Sequence, residues 1–245
     1  MLESILDKEN FHSFVMMGQS NMAGRGEFDE VKRIANPSCY MFRMASWQFM
    51  SEPINVDRDI FKKTFHSGIS LGASFVDDYN KFYKIDVGVI PCANGDTSID
   101  MWAEGEALFD HAVMQTKLAS RTSTLKGVLW HQGESDSVKV EDINAYIYKF
   151  EKMVTAFRKQ VENTHLPFFV GEISTNISQK WNIPKENAEL FNSKLKEITQ
   201  KISNVYFVKA SDLPLQNDGI HFCSKSLRTL GSRYFEAYKQ YYENK

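Results

Sequence analysis

The stretch from Phe14 to Gly26, FVMMGQSNMAGRG, joins a short apolar run to a glycine and then to a cluster of polar residues. Phe14 to Met17 has the continuous apolar character of a strand that is buried on both faces of a sheet. Gly18 permits a sharp turn after the strand, so that Ser20 is presented at its end. The stretch therefore predicts a buried strand followed by a polar corner, whose chemistry depends on what the rest of the chain brings there.

Further apolar runs of the same kind alternate with helical patterns along the chain. The predicted strands are Ser13–Met17, Val87–Pro91, Gly127–His131, Phe168–Glu172 and Val205–Val208. The predicted helices are Ile69–Lys84, Gly105–Ser120, Glu141–Glu162, Pro184–Ile202 and Ser224–Tyr242. We expect Pro184 in a first helical turn and Ser224 at an N-cap. The alternation predicts an α/β protein with right-handed crossovers and a parallel sheet covered by helices on both faces.

The composition is that of an ordinary globular protein. The 245 residues are 42% hydrophobic and 24% charged, without repeats or linkers, which predicts one domain over residues 1–245. The net charge is -2 and no basic block stands out, so the sequence does not indicate a nucleic-acid partner. The N-terminal sequence MLESILDKEN lacks an apolar core, and no apolar run approaches the length of a membrane span. With three scattered cysteines, we expect a cytoplasmic protein without disulfides, metal or membrane partner.

Polar residues follow most of the predicted strands. They are Gln19, Ser20 and Asn21; Asn94, Gly95, Asp96 and Thr97; His131, Gln132, Glu134 and Asp136; and Asp218 and His221. Ligands of open parallel sheets bind beyond the carboxyl ends of the strands, where these residues should meet. The pattern predicts one polar site at one edge of the sheet.

The residue types at this edge suit acyl transfer. A serine hydroxyl needs a base to become a nucleophile, and His221 is the candidate base for Ser20. Asp218 lies three residues before His221, within reach to orient the imidazole and stabilise its charged form. The N–H groups of Ser20 and Gly95 and the side-chain amide of Gln132 are candidate donors to an oxyanion.

Each element of this site also has a plain structural interpretation. Ser20 could cap a helix, and the Asp218–His221 pair could be a local hydrogen bond. The segment around Gly95 could be only a turn, and Gln132 and Glu134 could satisfy loop backbone. The elements gain weight jointly because all of them fall on one edge of the same predicted sheet.

Other site classes lack their motifs. There is no GxSxG elbow, no GxGxxG or GxxxxGK[ST] phosphate loop, and no HExxH zinc motif. His131, Glu134 and Asp136 raise the possibility of a metal, but no second histidine stands at helical spacing. No metal or cofactor is predicted.

The segments GQSNMAGRG, IPCANGDTSIDMW, GVLWHQGESD and DGIHF resemble the ordered blocks of the SGNH-hydrolase superfamily. Within it they resemble the sialate O-acetylesterase-like branch, which includes the acetylxylan esterases of carbohydrate esterase family six. The resemblance implies a three-layer, flavodoxin-like α/β/α sandwich with a parallel sheet of about five strands. It also implies a serine esterase that removes O-acetyl groups from carbohydrates without a metal.

The resemblance assigns roles residue by residue. Ser20 matches the nucleophile, His221 the base and Asp218 its carboxylate partner. Gly95 matches the glycine that donates its N–H, and Gln132 stands where most of the superfamily has Asn. Further motif positions, with supporting or substrate roles, are Asn21, Arg25, Asp96, Thr97, Glu134 and Asp136.

Asp96 departs from the branch, which usually has a second glycine there. We expect Asp96 to adopt positive φ at some cost and to direct its carboxylate to solvent or to cap the next turn. A carboxylate aimed at the oxyanion would oppose the charge that the site must stabilise.

The expected partner is an acetylated carbohydrate, such as a xylo-oligosaccharide or a sialic-acid-like sugar. Trp47, Trp102 and Trp130 are candidate stacking surfaces, although the strand position of Trp130 is more typical of core packing. Acetyl transfer between sugars is an alternative with the same residues, and a catalytically weak carbohydrate-binding relative is another. Specificity should depend on loops such as Glu27–Ser67, and the oligomeric state is left open.

Overall fold

The computed structural model describes residues 7–56 and 66–243. Seven strands form one sheet in the spatial order β3-β2-β4-β1-β5-β6-β7. They are β1 (Phe11–Gly18), β2 (Cys39–Arg43), β3 (Ser46–Phe49), β4 (Asp86–Pro91), β5 (Thr124–His131), β6 (Phe168–Gly171) and β7 (Val205–Val208). All neighbouring pairs are parallel except β2 with β3. The carboxyl ends of β1, β4 and β5 therefore lie side by side at one edge.

Six α-helices accompany the sheet within the described residues. They are α1 (Ser20–Ala23), α2 (Leu71–Tyr83), α3 (Ala107–Ala119), α4 (Val140–Gln160), α5 (Lys185–Lys201) and α6 (Ser224–Glu243). Side chains of β1 alternate between the faces, so Phe14 and Met16 pack with α2 and α6 while Val15 and Met17 pack with α3, α4 and α5. The expected three-layer α/β/α architecture is confirmed, with β1 fully buried at its centre.

All five predicted strands are present, but the sheet is larger than the expected five strands. The hairpin of β2 and β3 was missed because its two turn residues, Met44 and Ala45, lack a turn signal. Both have positive φ, 51° and 59°. Two-residue hairpin turns of this kind usually contain Asn-Gly, whose backbones enter that region at low cost.

Two predicted helix starts need correction. Pro184 precedes α5 as its N-cap residue rather than lying in the first turn. Ser224 is the first residue of α6, and its hydroxyl donates to the Glu27 carbonyl at 2.7 Å instead of capping the helix. The Glu30 carboxylate accepts from the Ser224 N–H at 2.8 Å. A distant side chain thus satisfies the start of α6, which no local pattern could reveal.

Candidate active site

Gly18 makes the corner that follows β1. Its φ is 128°, and a Cβ on Gly18 would lie 2.1 Å from the His131 carbonyl oxygen. That carbonyl accepts from the Gln19 N–H at 2.9 Å, which fixes the corner against β5. Only glycine fits this close approach at positive φ, so the chain turns here and delivers Ser20 to the start of α1.

Gly95 lies directly beside Ser20. A Cβ on Gly95 would be 3.6 Å from the Cβ of Ser20, although the two residues are far apart in sequence. Within the described residues, the N–H groups of Ser20 and Gly95 donate neither to a backbone carbonyl nor to a side chain. Two backbone donors next to a serine hydroxyl are what stabilisation of an oxyanion requires.

Asp218 and His221 form a close pair on the loop before α6. The Asp218 Oδ2 lies 2.6 Å from the His221 Nδ1, and Oδ1 accepts from the N–H groups of Ile220 and His221, each at 3.0 Å. Burial by itself would raise the pKa of Asp218, but these hydrogen bonds and the nearby imidazole hold it below the usual range. The carboxylate is thus ionised and has one orientation.

His221 is 5% exposed. Burial lowers the pKa of His221, Asp218 opposes this effect by its hydrogen bond and charge, and the Arg25 cation lowers it further, so the net shift is downward. A neutral imidazole that donates from Nδ1 to Asp218 keeps its lone pair on Nε2. His221 is therefore in the protonation state that a general base needs at neutral pH.

Asn21 connects the serine segment to the histidine loop. Its Oδ1 accepts from the Phe222 N–H at 3.0 Å, and its Nδ2 donates to the Ile220 carbonyl at 3.2 Å. Nδ2 also donates to the Glu134 Oε1 at 2.6 Å. Because Asn21 follows Ser20 while Ile220 and Phe222 flank His221, these bonds bring the predicted nucleophile and base segments together.

Gln132 is fully buried and its amide is already engaged. Nε2 lies 2.6 Å from the Asp136 Oδ2, 2.9 Å from the Thr97 carbonyl and 3.2 Å from the Gln19 Oε1, and the Tyr146 hydroxyl donates to Oε1 at 2.8 Å. An amide nitrogen carries only two hydrogens. A bond from Gln132 to an oxyanion would have to replace one of these bonds, so that role stays a prediction.

Asp136 and Thr97 hold the loop after β4 against the loop after β5. Asp136 also accepts from the Ile99 N–H at 2.9 Å, and the Thr97 hydroxyl donates to the Asn94 carbonyl at 2.9 Å. Burial raises the pKa of Asp136 to about 6, against the opposing hydrogen bonds from Gln132 and Ile99. Both residues act within the framework around Gly95, since both are buried.

Asp96 has the backbone conformation that the sequence predicts. Its φ is 58°, in the left-handed region, and its side chain is exposed. Arg25 lies next to Gly95, because a Cβ on Gly95 would meet the Arg25 Nη2 at 2.7 Å. A guanidinium therefore lies at the same edge as Ser20, Gly95 and His221.

The three tryptophans expected as stacking surfaces are wrong for that role. Trp47 is 2% exposed, and Trp102 and Trp130 are fully buried, since each packs into the core between the sheet and the α3–α5 layer. Trp181, which sequence reasoning missed, is partly exposed, and its indole N–H donates to the Asp218 carbonyl at 2.7 Å. Its only sequence signal is an isolated aromatic residue in a polar loop.

Gln19, which the sequence places at the polar edge, and Tyr146, which the sequence does not indicate, both belong to the framework of the site. The Gln19 Oε1 lies 3.4 Å from the Gly133 N–H and 3.5 Å from the Ser135 N–H. Tyr146 belongs to α4 and is fully buried against Gln132. The helical spacing of apolar residues shows only that a tyrosine of α4 is buried, and it does not show which group its hydroxyl contacts.

The loop Glu27–Ser67, expected to set specificity, lies partly outside the described residues, which exclude 57–65. Its described part is tied to α6 by Glu52, whose carboxylate is contacted by the Arg228 guanidinium at 2.7 and 2.5 Å. Among the described residues, no group of three or more His, Cys, Asp or Glu side chains is arranged to hold a metal. None of the helices in that part of the chain combines the length and apolarity needed to cross a membrane.

Comparisons with known proteins identify the family and the fold. A family model described as carbohydrate esterase, sialic acid-specific acetylesterase, matches residues 10–240. A probable carbohydrate esterase of Arabidopsis thaliana is 28% identical over 244 residues, which cover 92% of this chain and 89% of the relative. The crystal structure of that Arabidopsis protein superposes with a TM-score of 0.81 at 26% identity, over 94% of this chain and 98% of the other.

Two more distant structures share the fold. NanS has a TM-score of 0.78 at 16% identity and covers 98% of this chain and 100% of its own. A carbohydrate acetylesterase from Xanthomonas citri has a TM-score of 0.68 at 13% identity, over 95% of this chain and 56% of its own.

The fold is that of an α/β protein, and the family model places the chain in the carbohydrate esterase class. More particularly, the chain belongs to the sialic acid-specific acetylesterase family of carbohydrate esterases. The narrower resemblance to carbohydrate esterase family six stays a prediction.

Proposed function

We propose that this protein is a serine esterase that hydrolyses O-acetyl groups of carbohydrates, with Ser20 as nucleophile, His221 as base and Asp218 as its orienting carboxylate. The observation that carries the proposal is the Asp218–His221 pair at 2.6 Å on a loop that Asn21 ties to the segment of Ser20. Membership of a carbohydrate esterase family supports the same substrate class.

In the first half-reaction, the Ser20 Oγ attacks the acetyl carbonyl carbon and its proton passes to the His221 Nε2. The imidazolium that forms is stabilised by Asp218, whose carboxylate is ionised because its pKa is held low. The N–H groups of Ser20 and Gly95 are the proposed donors to the developing oxyanion, and a donor of this kind contributes about 3–4 kcal/mol to transition-state stabilisation. When the tetrahedral intermediate collapses, the sugar oxygen leaves with the proton from His221.

In the second half-reaction, water attacks the acetyl-Ser20 ester and gives its proton to the neutral His221 Nε2. Collapse of this second intermediate returns the proton from His221 to the Ser20 Oγ and releases acetic acid, which ionises to acetate in water. Every proton is carried by His221, so the chain needs no further group for the proton transfers.

The substrate is an acetylated sugar, either a xylo-oligosaccharide or a sialic-acid-like sugar. The family description names sialic acid, and Arg25 places a cation at the edge that contains Ser20. We expect a reducing compartment because the three cysteines, Cys39, Cys92 and Cys223, are odd in number and far apart in the sequence.

The decisive experiment replaces Ser20 by Ala and follows acetate release from p-nitrophenyl acetate, acetylated xylo-oligosaccharides, acetylated sialic acids and simple sugar acetates. We expect at least a hundredfold loss of kcat on every ester that the protein cleaves. We also expect a fluorophosphonate to label the native protein and not Ser20→Ala. Hydrolysis that is unchanged in Ser20→Ala would rule out this mechanism.

A further inference from the structure

We propose that Asn21 and Glu134 are positioning residues: Asn21 holds the His221 loop against the Ser20 segment, and Glu134 keeps the Asn21 amide in the orientation that this requires. The inference rests on the proposed esterase function and gives a role to two buried side chains that take no part in the proton transfers.

The hydrogen-bonding capacity of the Asn21 amide is almost fully used. Its two N–H hydrogens serve the Glu134 Oε1 at 2.6 Å and the Ile220 carbonyl at 3.2 Å, while its oxygen accepts from the Phe222 N–H at 3.0 Å. The side chain is 1% exposed, so water does not replace a bond that is lost. The segments on either side of the amide are therefore held in one relative position.

Glu134 fixes which way this amide points. If the amide were turned by half a rotation, its oxygen would face the Glu134 carboxylate and the Ile220 carbonyl, and its nitrogen would face the Phe222 N–H. The Asn21 oxygen would then face two other acceptor oxygens, and its N–H groups would face another N–H donor, so that all three hydrogen bonds would be lost. The bond to Glu134 is the shortest of the three, so removing it weakens the preference for the bonded orientation most.

The effect on His221 follows from the chain. Asp218 orients the imidazole within its own loop, because the two residues are only three positions apart. Asn21 directly follows Ser20 and bonds to Ile220 and Phe222, the two residues that flank His221. It therefore fixes the position of the whole His221 loop relative to the Ser20 segment. A misplacement of about 1 Å between reacting groups can cost about a hundredfold in rate.

The burial of Glu134 indicates that its position is not optimised for stability. The residue is 2% exposed, and within the described residues its second oxygen, Oε2, is buried without a hydrogen-bond partner. Burial raises the pKa of Glu134 against the bond from Asn21. Such a carboxyl costs free energy of folding, which fits a residue retained for the geometry of the site.

The test compares Asn21→Ala, Glu134→Met, their double variant and Glu134→Gln, with kcat, KM and the rate and final extent of fluorophosphonate labelling. For Asn21→Ala we expect kcat to fall about 10- to 100-fold while KM changes less than about threefold. Labelling should be slow but reach the same extent as in the native protein. Glu134→Gln keeps an oxygen for Asn21 and should restore most of the activity that Glu134→Met loses.

The double variant decides how Glu134 acts. If Glu134 works through Asn21, the double variant should match Asn21→Ala alone; if the two losses multiply, Glu134 acts independently and the proposal fails. The proposal would also be overturned if Asn21→Ala left kcat unchanged, or if it raised KM without lowering kcat. Should Asn21→Ala not fold, Asn21→Asp keeps the size and the acceptor for Phe222 but loses both donors, and the same fall in kcat is expected. Failure of the esterase proposal is recognised separately, by full activity of Ser20→Ala.

Discussion

At the scale of single residues, the protonation state of His221 sets the pH dependence. Burial lowers its pKa below 6.5, and the base is active only when neutral. The value of kcat/KM should therefore rise with pH through a pKa below 6.5 and be level above it. A profile of kcat/KM from about pH 4 to pH 9 measures this pKa. An apparent pKa above 6.5 on the acidic side of the profile would contradict the prediction.

The same lowered pKa of His221 makes the stability of the folded protein sensitive to acid. A group with a lowered folded pKa binds a proton more readily when unfolded, so its contribution to stability is present above the unfolded pKa and lost as pH falls through the folded one. His221→Gln removes this term. Between neutral pH and about pH 5, the free energy of unfolding in urea should fall less for His221→Gln than for the native protein. An equal fall in both proteins would argue against a lowered pKa of His221.

Asp96 allows a separation of backbone strain from charge. Its φ of 58° is costly for a side chain with a Cβ, by about 1 kcal/mol, and the position is exposed. Asp96→Gly should raise the melting temperature by a few degrees, roughly 2–4 °C, and preserve or raise kcat. Asp96→Asn is the matched control, because it removes the charge and keeps the side chain. A large loss of kcat in both variants would reveal a positive role for the carboxylate.

At the scale of elements, the β2–β3 hairpin carries avoidable strain in its turn. Met44 is 93% exposed and Ala45 is exposed, and both have positive φ. Met44→Asn with Ala45→Gly should stabilise the protein by about 1 kcal/mol without changing kcat, as followed by urea unfolding. The control Ala145→Gly lies within α4 and should destabilise by about 1 kcal/mol, since glycine is unfavourable in a helix. Equal effects of the two glycines would refute the explanation from turn geometry.

The elements also explain what periodicity could and could not find. The helix α4 was predicted within two residues of its ends because its apolar positions recur at helical spacing. The hairpin was not predicted, because Met44 and Ala45 give no turn signal although the turn has the usual conformation. The fold tolerates this local cost because β2 pairs with β4 and buries its apolar side chains.

At the scale of the whole molecule, the Glu52–Arg228 pair joins the segment between β3 and α2 to α6. The Glu52 side chain is fully buried and that of Arg228 is 16% exposed. Arg228→Met leaves the buried Glu52 carboxylate without its cation and should lower the free energy of unfolding in urea by about 3–5 kcal/mol. Glu52→Gln combined with Arg228→Met should recover part of this loss. Equal stability of Arg228→Met and the native protein would show that the pair is dispensable.

By itself, the sequence determined the alternation of strands and helices, the three-layer architecture and the set of motif residues. Apolar runs and helical spacing are local properties, and residues such as Ser20 and His221 belong to recognisable segments. Only the tertiary structure decided that the tryptophans expected to bind sugar are core residues, that the Gln132 amide is engaged by three acceptors, and that Asn21 spans the serine and histidine segments. The physical reason is that burial and hydrogen-bond partners depend on segments that are separated in the sequence and meet only when the sheet is assembled.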